Sequence, residues 1–477
     1  MPIFDGNLPY TNLHELNLDW IVKIVANVYN RIDNLDAEIE EQIVNLANQG
    51  VITVNSKLSL YDTVADMLSD TSPIVNNIAF TKGYYSANDG GSALYVLRNS
   101  IPSDVNDNMF IYLLSNNITA ELITGDTINA LQIGFNRTGS VDNSTKLFKF
   151  NDYDNKTFYF PQGDYLFNSP VTITRHITLL GQSETFLGID RLNRTVFTFN
   201  LPANSTGLTL NANHCSIKNI MFYSTSYTSS ADATLIDGTT NNWYTSTTAV
   251  SNVSGVEIAS YNNEISDCTF RGFSANGLKI GLNNKGNNLY FVECYTGLRT
   301  RNDSIFDDLF FKLCERGIIH EGSLTTITNV RLDFIKTVCI ILGTNSNSNI
   351  IKNVIADTVG ERCIEFQNNC GDNYVECYGR VGYRYASVRS ATYASNPQYS
   401  CMVYIIGGCV GNTIVTSATQ RTVNGITAPY RTVVQSAPDH TVYKISGYKA
   451  ITNNDEILYT RYGYTATDSV LEYAYSI

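Results

Sequence analysis

Two hydrophobic patterns divide the chain. The first is helical. Apolar residues at Ile21, Val25, Val28, Ile32, Leu35 and Ile39, then Leu46 after a polar Gln42, step by 4, 3, 4, 3, 4 and 7. This is an a/d heptad held for nearly four heptads. It predicts a helix ending at Gly50, with Arg31, Asp33, Asp36, Glu38, Glu40 and Glu41 on its wet side. So narrow a stripe suits a copy of itself better than the helix's own domain, although docking on that domain remains the alternative. β-Branched residues at both a and d favour more than two strands. Ahead of it, Pro2 to Trp20 is rich in aromatic and apolar residues. It reads either as an attachment segment or as a simple cap on the helix.

The second pattern is a repeat. A six-residue template, apolar–any–Asn/Asp–apolar–any–apolar, starts at Ile217, Ile265, Phe306, Ile327 and Ile351, with a glycine-first copy at Gly286. Successive starts lie 48, 21, 20, 21 and 24 residues apart. A second template, Gly–apolar–any–apolar, lies between the copies at Gly207, Gly255 and Gly277, and more weakly at Gly297 and Gly317. Short alternating segments at a period of about 20–24 residues predict a parallel β-helix, in which stacked coils share a core that no single coil could bury. In this reading Asn219, Asp267, Asn288, Asp308, Asn329 and Asn353 stack at a turn in structural roles. Cys294 falls beside Cys314, and Cys339 beside Cys363, as small core fillers.

Composition narrows the function. The chain has 477 residues, 16% of them charged, with 53 Asn and 31 Tyr. Its net charge of −12 argues against a general nucleic-acid binder. No apolar run approaches the ~18 residues of a membrane span, so membrane insertion is not expected. No signal peptide is read at the N-terminus, and the ten Cys form no zinc or disulfide pattern. No metal or cofactor is expected. The bland reading is synthesis in a cytosol with reduced thiols.

Three further stretches carry a resemblance. Residues Tyr159 to Phe167 (YFPQGDYLF), followed by Ile177 to Gly181, resemble the opening coil of pectate-lyase-like phage tailspikes. Gly83 to Tyr95 looks like the glycine-rich segment that often precedes it, with Ser92 in place of a third glycine. Asn12 to Lys23 is similar to the N-terminal attachment segment of tail or neck appendages of small podophages. The resemblance implies a right-handed, pectate-lyase-like parallel β-helix in a homotrimeric virion appendage. It also implies docking through the N-terminus on tail, neck or portal-adaptor proteins, and contact with a host-surface glycan, polysaccharide or teichoic acid. The organisation expected is an attachment segment and coiled-coil stem over 1–50 and a mixed head over 51–150. A β-helix over 151–385 and a β-rich C-terminal cap or tip over 386–477 complete it.

Chemistry on such a solenoid would come from carboxylates on neighbouring coils. The alignment makes Asp333 and Asp357 lateral neighbours, with Glu315, Glu361 and Glu293 further round. These acids, Glu293 as a binding group, are the candidates for cleavage and binding, and solvated surface charge is the alternative. Arg331 and Arg316 suit an anionic sugar or phosphate. The insertion from Asp237 to Ser254 carries Trp243 and Tyr244, as a sugar contact or a flap over the coil. His320 reads as a polar edge residue rather than a base. Binding alone, binding with cleavage, and a purely structural fibre all remain open on sequence.

Overall fold

The computed structural model describes residues 58–182, 193–231, 244–379 and 401–418 apart from 407 and 410, with the backbone of five short strands between 422 and 473. The stem positions Ile21, Val25, Val28, Ile32, Leu35 and Ile39, and Trp243, lie outside the described residues. Among the described residues no helix is long and apolar enough to cross a membrane.

The chain divides into two units, of which the smaller holds residues up to Lys82 and Ala93–Ile123. Its strands are β1 (Leu58–Tyr61), β2 (Ile78–Thr81), β3 (Ala93–Asn99), β4 (Ile111–Leu114) and β5 (Ile118–Leu122), in the order β1-β2-β3-β5-β4. Strict alternation along β3 buries Ala93, Tyr95 and Leu97 on one face. Helix α1 (Val64–Ser69) buries Val64 and Met67, and starts where Thr63 and Asp66 form a reciprocal capping box.

The larger unit, Gly83–Ser92 with Thr124–Ile477, is the solenoid. Two sheets run its length, one of ten strands and one of 17. Strands one coil apart pair in parallel and in register, for example Leu309↔Val330 and Val330↔Val354. The first strands of the stack are Thr127–Asn129 and Thr138–Asp142. At the other end, Cys401–Ile405 and Arg431–Gln435 extend the ten-stranded sheet, and Thr413–Ala418 and Val442–Ile445 the other. The paired stack therefore reaches beyond residues 151–385 on both sides.

The last apolar position of the template points inward. Phe222, Phe270, Phe291 and Phe311 stack there with centroids 5.2, 5.1 and 4.7 Å apart. The glycines of the second template sit where coils approach most closely: a Cβ at Gly317 would lie 2.4 Å from the carbonyl oxygen of Cys339 in the next coil. Cys294, Cys314, Cys339 and Cys363 are all buried, and the register Val338↔Arg362 and Ile340↔Ile364 sets the last two on neighbouring coils.

The template's Asn and Asp mark a corner. Asn219, Asp267, Asn288, Asp308, Asn329 and Asn353 all have φ between 53 and 58°, the left-handed region that Asn and Asp tolerate best. Some side chains also link coils, Asn288 Nδ2 donating to Asp267 Oδ1 at 3.0 Å and Asn353 Nδ2 to Asn329 Oδ1 at 2.6 Å. The buried polar ladder lies elsewhere. Cys215 N donates to Asn263 Oδ1, Asn263 N to Asn284 Oδ1, and Asn284 N to Ser304 Oγ, at 2.7, 2.8 and 3.3 Å. Ser304 N then donates to Thr325 Oγ1, Thr325 N to Asn349 Oδ1, Asn349 N to Asn373 Oδ1 and Asn373 N to Asn412 Oδ1, at 3.4, 2.9, 3.1 and 3.1 Å. Each link satisfies a backbone donor that the corner would otherwise leave buried and unpaired.

His320 is not an edge residue. It faces inward between Thr300 and Leu342 and is fully buried, with the Gly322 backbone and the Asn349 side chain as the polar groups that act on its ring. Burial pushes its pKa down. A strand's alternation outranked side-chain polarity here.

Candidate functional site

The template fixes which side chains leave the core. On the coils that start at Phe306, Ile327 and Ile351 its fourth and sixth positions are buried, and the fifth and the one after the template are at least partly exposed. On successive coils the fifth position is Tyr290, Phe310, Arg331 and Ile355, in lateral register. The Tyr290 and Phe310 rings stack 4.5 Å apart and within 3° of parallel. The Arg331 guanidinium covers the Phe310 ring at 5.6 Å.

Two residues further along the strand, Lys312, Asp333 and Asp357 form a second lateral row. Strand spacing holds the two aspartates about 4.8 Å apart at the backbone. Thr358 donates its hydroxyl to Asp357 Oδ1 at 3.4 Å. The Asp333 pKa is raised, first by burial and then by the charge of Asp357, with Arg331 and Lys312 opposing. Tyr290 feels the same field: burial raises its pKa, the Asp333 charge adds to this, and Arg331 opposes it. Two flat rings, two cations and two carboxylates thus share one surface.

The other residues singled out from sequence are not members of these rows, although Glu293 adjoins the second, its N–H donating to Lys312 O at 3.0 Å. Glu315 comes after the next corner, where the Tyr227 hydroxyl and the Lys336 ammonium donate to its Oε2 at 3.2 and 2.9 Å. Glu361 holds the corresponding place on a later coil and is buried, its N–H donating to Thr337 O. Glu293 is clamped by Arg271, Nε to Oε2 at 2.9 Å and Nη2 to Oε1 at 3.3 Å. Arg316 belongs to the ten-stranded sheet and lies over the Tyr295 ring at 5.5 Å. Tyr244 is 5% exposed. It belongs to an antiparallel hairpin, Tyr227–Ala231 with Tyr244–Thr248, that lies against the coils. The Tyr244 hydroxyl donates to Leu313 O at 2.7 Å, the Ser229 hydroxyl does so at 2.6 Å, and Lys336 Nζ reaches Ser246 Oγ. The Tyr244 ring is therefore turned to the solenoid, as a flap requires.

Tyr290, Phe310 and Lys312 were not singled out from sequence. Their signal was present: they occupy the outward positions of the same template that places Arg331 and Asp333.

Residues 127–319 match a family model described as rhamnogalacturonase A/epimerase, pectate lyase-like. The solenoid is a pectate-lyase-like, right-handed parallel β-helix. Solved structures with this β-helix include three phage tailspikes. One is the enzymatically active domain of tailspike protein 2 of bacteriophage CBA120, with TM-score 0.61 at 12% identity, covering 84% of this chain and 60% of that one. Another is full-length tailspike protein 2 from an Escherichia coli O157:H7 bacteriophage, with TM-score 0.62 at 13% identity and coverages of 90% and 57%. The third is the gp42 tailspike of Acinetobacter phage vb_AbaP_AS12, with TM-score 0.51 at 11% identity and coverages of 87% and 74%. The chain thus spans about three fifths of the first two proteins. At these identities the shared property is the fold. Comparison with curated protein sequences gives no match.

Proposed function

We propose that this chain is a phage tail appendage whose β-helix binds a host cell-surface glycan, a polysaccharide or teichoic acid, and cleaves it. One observation carries the reading: the register-fixed surface of Tyr290, Phe310, Arg331, Lys312, Asp333 and Asp357, on a solenoid of tailspike type. The outward edges of the stacked rings add apolar area beside the charges at low entropic cost. Arg331 and Lys312 supply positive charge for an anionic unit. Residues 1–50 attach the appendage to the virion tail, and the stem joins its copies as a homotrimer.

The carboxylate spacing bears on chemistry. Neighbouring coils hold Asp333 and Asp357 near the ~5–5.5 Å that suits a retaining glycosidase, not the ~6.5–9.5 Å that leaves room for a water. Asp333, with its raised pKa, protonates the glycosidic oxygen as the bond to the anomeric carbon breaks. Asp357 attacks that carbon and forms the glycosyl ester. Water then displaces Asp357, giving its proton to Asp333.

The test is incubation of purified host envelope polymers with the full chain, with D333N and with D357N. Polymer length and bound protein are both read. Shortening by the wild type alone, with binding kept in all three, is the expected result. A bound polymer of unchanged length would leave an adsorption protein without cleavage. Absence of binding to every host envelope fraction would refute the reading.

A further inference from the structure

Both outward rows stop at the same end. Traced back to earlier coils, the first row runs in register from Tyr290 to Thr269, Met221 and Val196. Alternation sets these three away from the core rings Phe270, Phe222 and Phe197, yet they are only 2%, 0% and 1% exposed. Arg194, itself 4% exposed, reaches across two coils and donates Nη2 to Thr269 Oγ1 at 3.2 Å. The second row runs back from Lys312 to Val292, Arg271 and Tyr223. Val292 is fully buried. The Arg271 guanidinium lies 6.0 Å from the centre of the Tyr223 ring, and Glu293 clamps it. In the other direction the rows open. Arg331 and Ile355 are exposed, Ile355 to 50%, and the next residue of that row, Tyr378, is half-buried. One flank is closed by the hairpin, whose Tyr244 and Ser229 hydroxyls donate to the carbonyl of Leu313, the residue after Lys312.

We propose that the two rows form a blind-ended track that takes the end of a glycan chain, so that cleavage falls at a fixed distance from that end. The inference rests on the glycan reading of this surface and adds the form of its substrate. A polymer bound by its middle must continue past the carboxylates in both directions. Beyond Tyr290 it would have to displace Arg194 from Thr269, which costs a buried guanidinium its hydrogen bond. Beyond Lys312 it would have to break the Arg271–Glu293 pair that lies beside buried Val292. A chain end meets neither obstacle. From Tyr290 to Arg331 and Asp333 is two coil spacings, about 10 Å, which is room for roughly two sugar units on the closed side of the carboxylates. Lys312 and Arg331 lie within that stretch, so an anionic group on either unit is held there by a charge-assisted contact. Asp333 and Asp357 then stand at the boundary between the held end and the rest of the chain.

The experiment uses the full chain and purified host envelope polysaccharide, sized by gel filtration into two fractions, one with twice the mean length of the other. Binding is read first, with D333N, so that the polymer stays intact. The expected amount of protein bound per polymer chain at saturation is the same for both fractions, because chains of either length have the same number of ends. An amount that doubles with length would overturn the inference, since only a track open at both ends can load along a chain. Cleavage by the wild type is read second, as product size against time. The expected product is a single fragment of roughly two sugar units from the earliest samples, while the mean length of the remaining polymer falls slowly. An early ladder of long fragments would overturn the inference and leave the cleaving surface in place. Binding in proportion to chain ends, with no shortening by the wild type, would refute the proposed cleavage and support the blind end.

Discussion

Replacing Asp333 by Asn should stabilise this protein at neutral pH. Asp333 and Asp357 sit directly opposite one another on adjacent strands. At a separation of about 5 Å, two unit charges repel by roughly 0.8 kcal/mol at the dielectric of water and roughly 3 kcal/mol at an effective value of 20. Asp333 is only half-buried, and Lys312 and Arg331 offset part of the repulsion, so the lower figure governs. D333N should therefore gain about 1 kcal/mol at pH 7. The gain depends on pH in a definite direction. The folded state holds the Asp333 proton more tightly than the unfolded chain does, because its pKa is raised above 3.8. Wild-type stability must then fall as pH rises from 3.8 through that raised value, and the advantage of D333N must open over the same interval. Urea unfolding of both proteins from about pH 3 to pH 7 reads this directly. Equal stability at pH 7, or a variant advantage independent of pH, would show that the carboxylates do not repel. The pairing on which the proposed chemistry depends would then be wrong. If the pairing is right, the substitution that stabilises the solenoid also abolishes cleavage, as expected of a strained functional pair.

Two further substitutions test the interior. Asn373→Ala removes an acceptor for the Asn349 N–H and side-chain amide, at 3.1 and 2.9 Å, and a donor to Ser346 O. It should cost about 2–4 kcal/mol as several buried groups lose partners, whereas Asn353→Gly at an exposed left-handed corner should change thermal stability little. His320→Leu should change stability little at pH 7 and stabilise at lower pH, by removing a buried ring whose protonation the fold opposes. Because burial lowers the His320 pKa, the unfolded chain takes up the proton first. Wild-type stability therefore falls as pH drops below about 6.5, and the advantage of His320→Leu should widen between pH 7 and pH 5, read by thermal unfolding at each pH.

The solenoid was legible because its constraint repeats. A strand that buries one face must alternate, and Ile327 to Leu332 does so in the same way as Phe306 to Phe311, so register followed from spacing alone. Asp333 and Asp357 were placed opposite one another on that basis, and the structure pairs them. The template's Asn and Asp were legible as a turn, but not what the turn needs. At Asn329 and Asn353 the requirement is a positive φ, with side-chain links as a secondary effect. The buried ladder escaped notice because only one acceptor oxygen per coil is required. Asn284, Ser304 and Thr325 supply it with three side chains that share no pattern of hydrophobicity. Glu315 looked like a surface acid because sequence cannot show that a hairpin inserted several coils earlier returns to place Tyr227 against it. The strands before Ser216 and after Val359 lack the six-residue template, so periodicity alone could not extend the coils to them.

The net charge of −12 suggests that an anionic wall polymer should be repelled, and local geometry changes that expectation. At physiological salt, charges further apart than ~8 Å scarcely interact, so a polymer in contact with the outward rows is governed by Lys312 and Arg331 and not by the total. Salt dependence distinguishes the two descriptions. Each cation that neutralises a polymer charge contributes a slope of about −0.7 to −0.9 in log affinity against log salt. Two cations therefore set a limit near −2 for an anionic ligand, and the negative remainder of the surface makes the observed slope shallower still. Titration of a teichoic-acid or anionic capsule fragment between about 50 and 300 mM salt measures it. The expected outcome is a slope between 0 and about −2 that moves towards zero by a little under one when Arg331 is replaced by Gln. A slope of about −4 or steeper would require more cations than these two rows possess. It would place the polymer on another surface of the protein, and the six residues proposed here would lose their role.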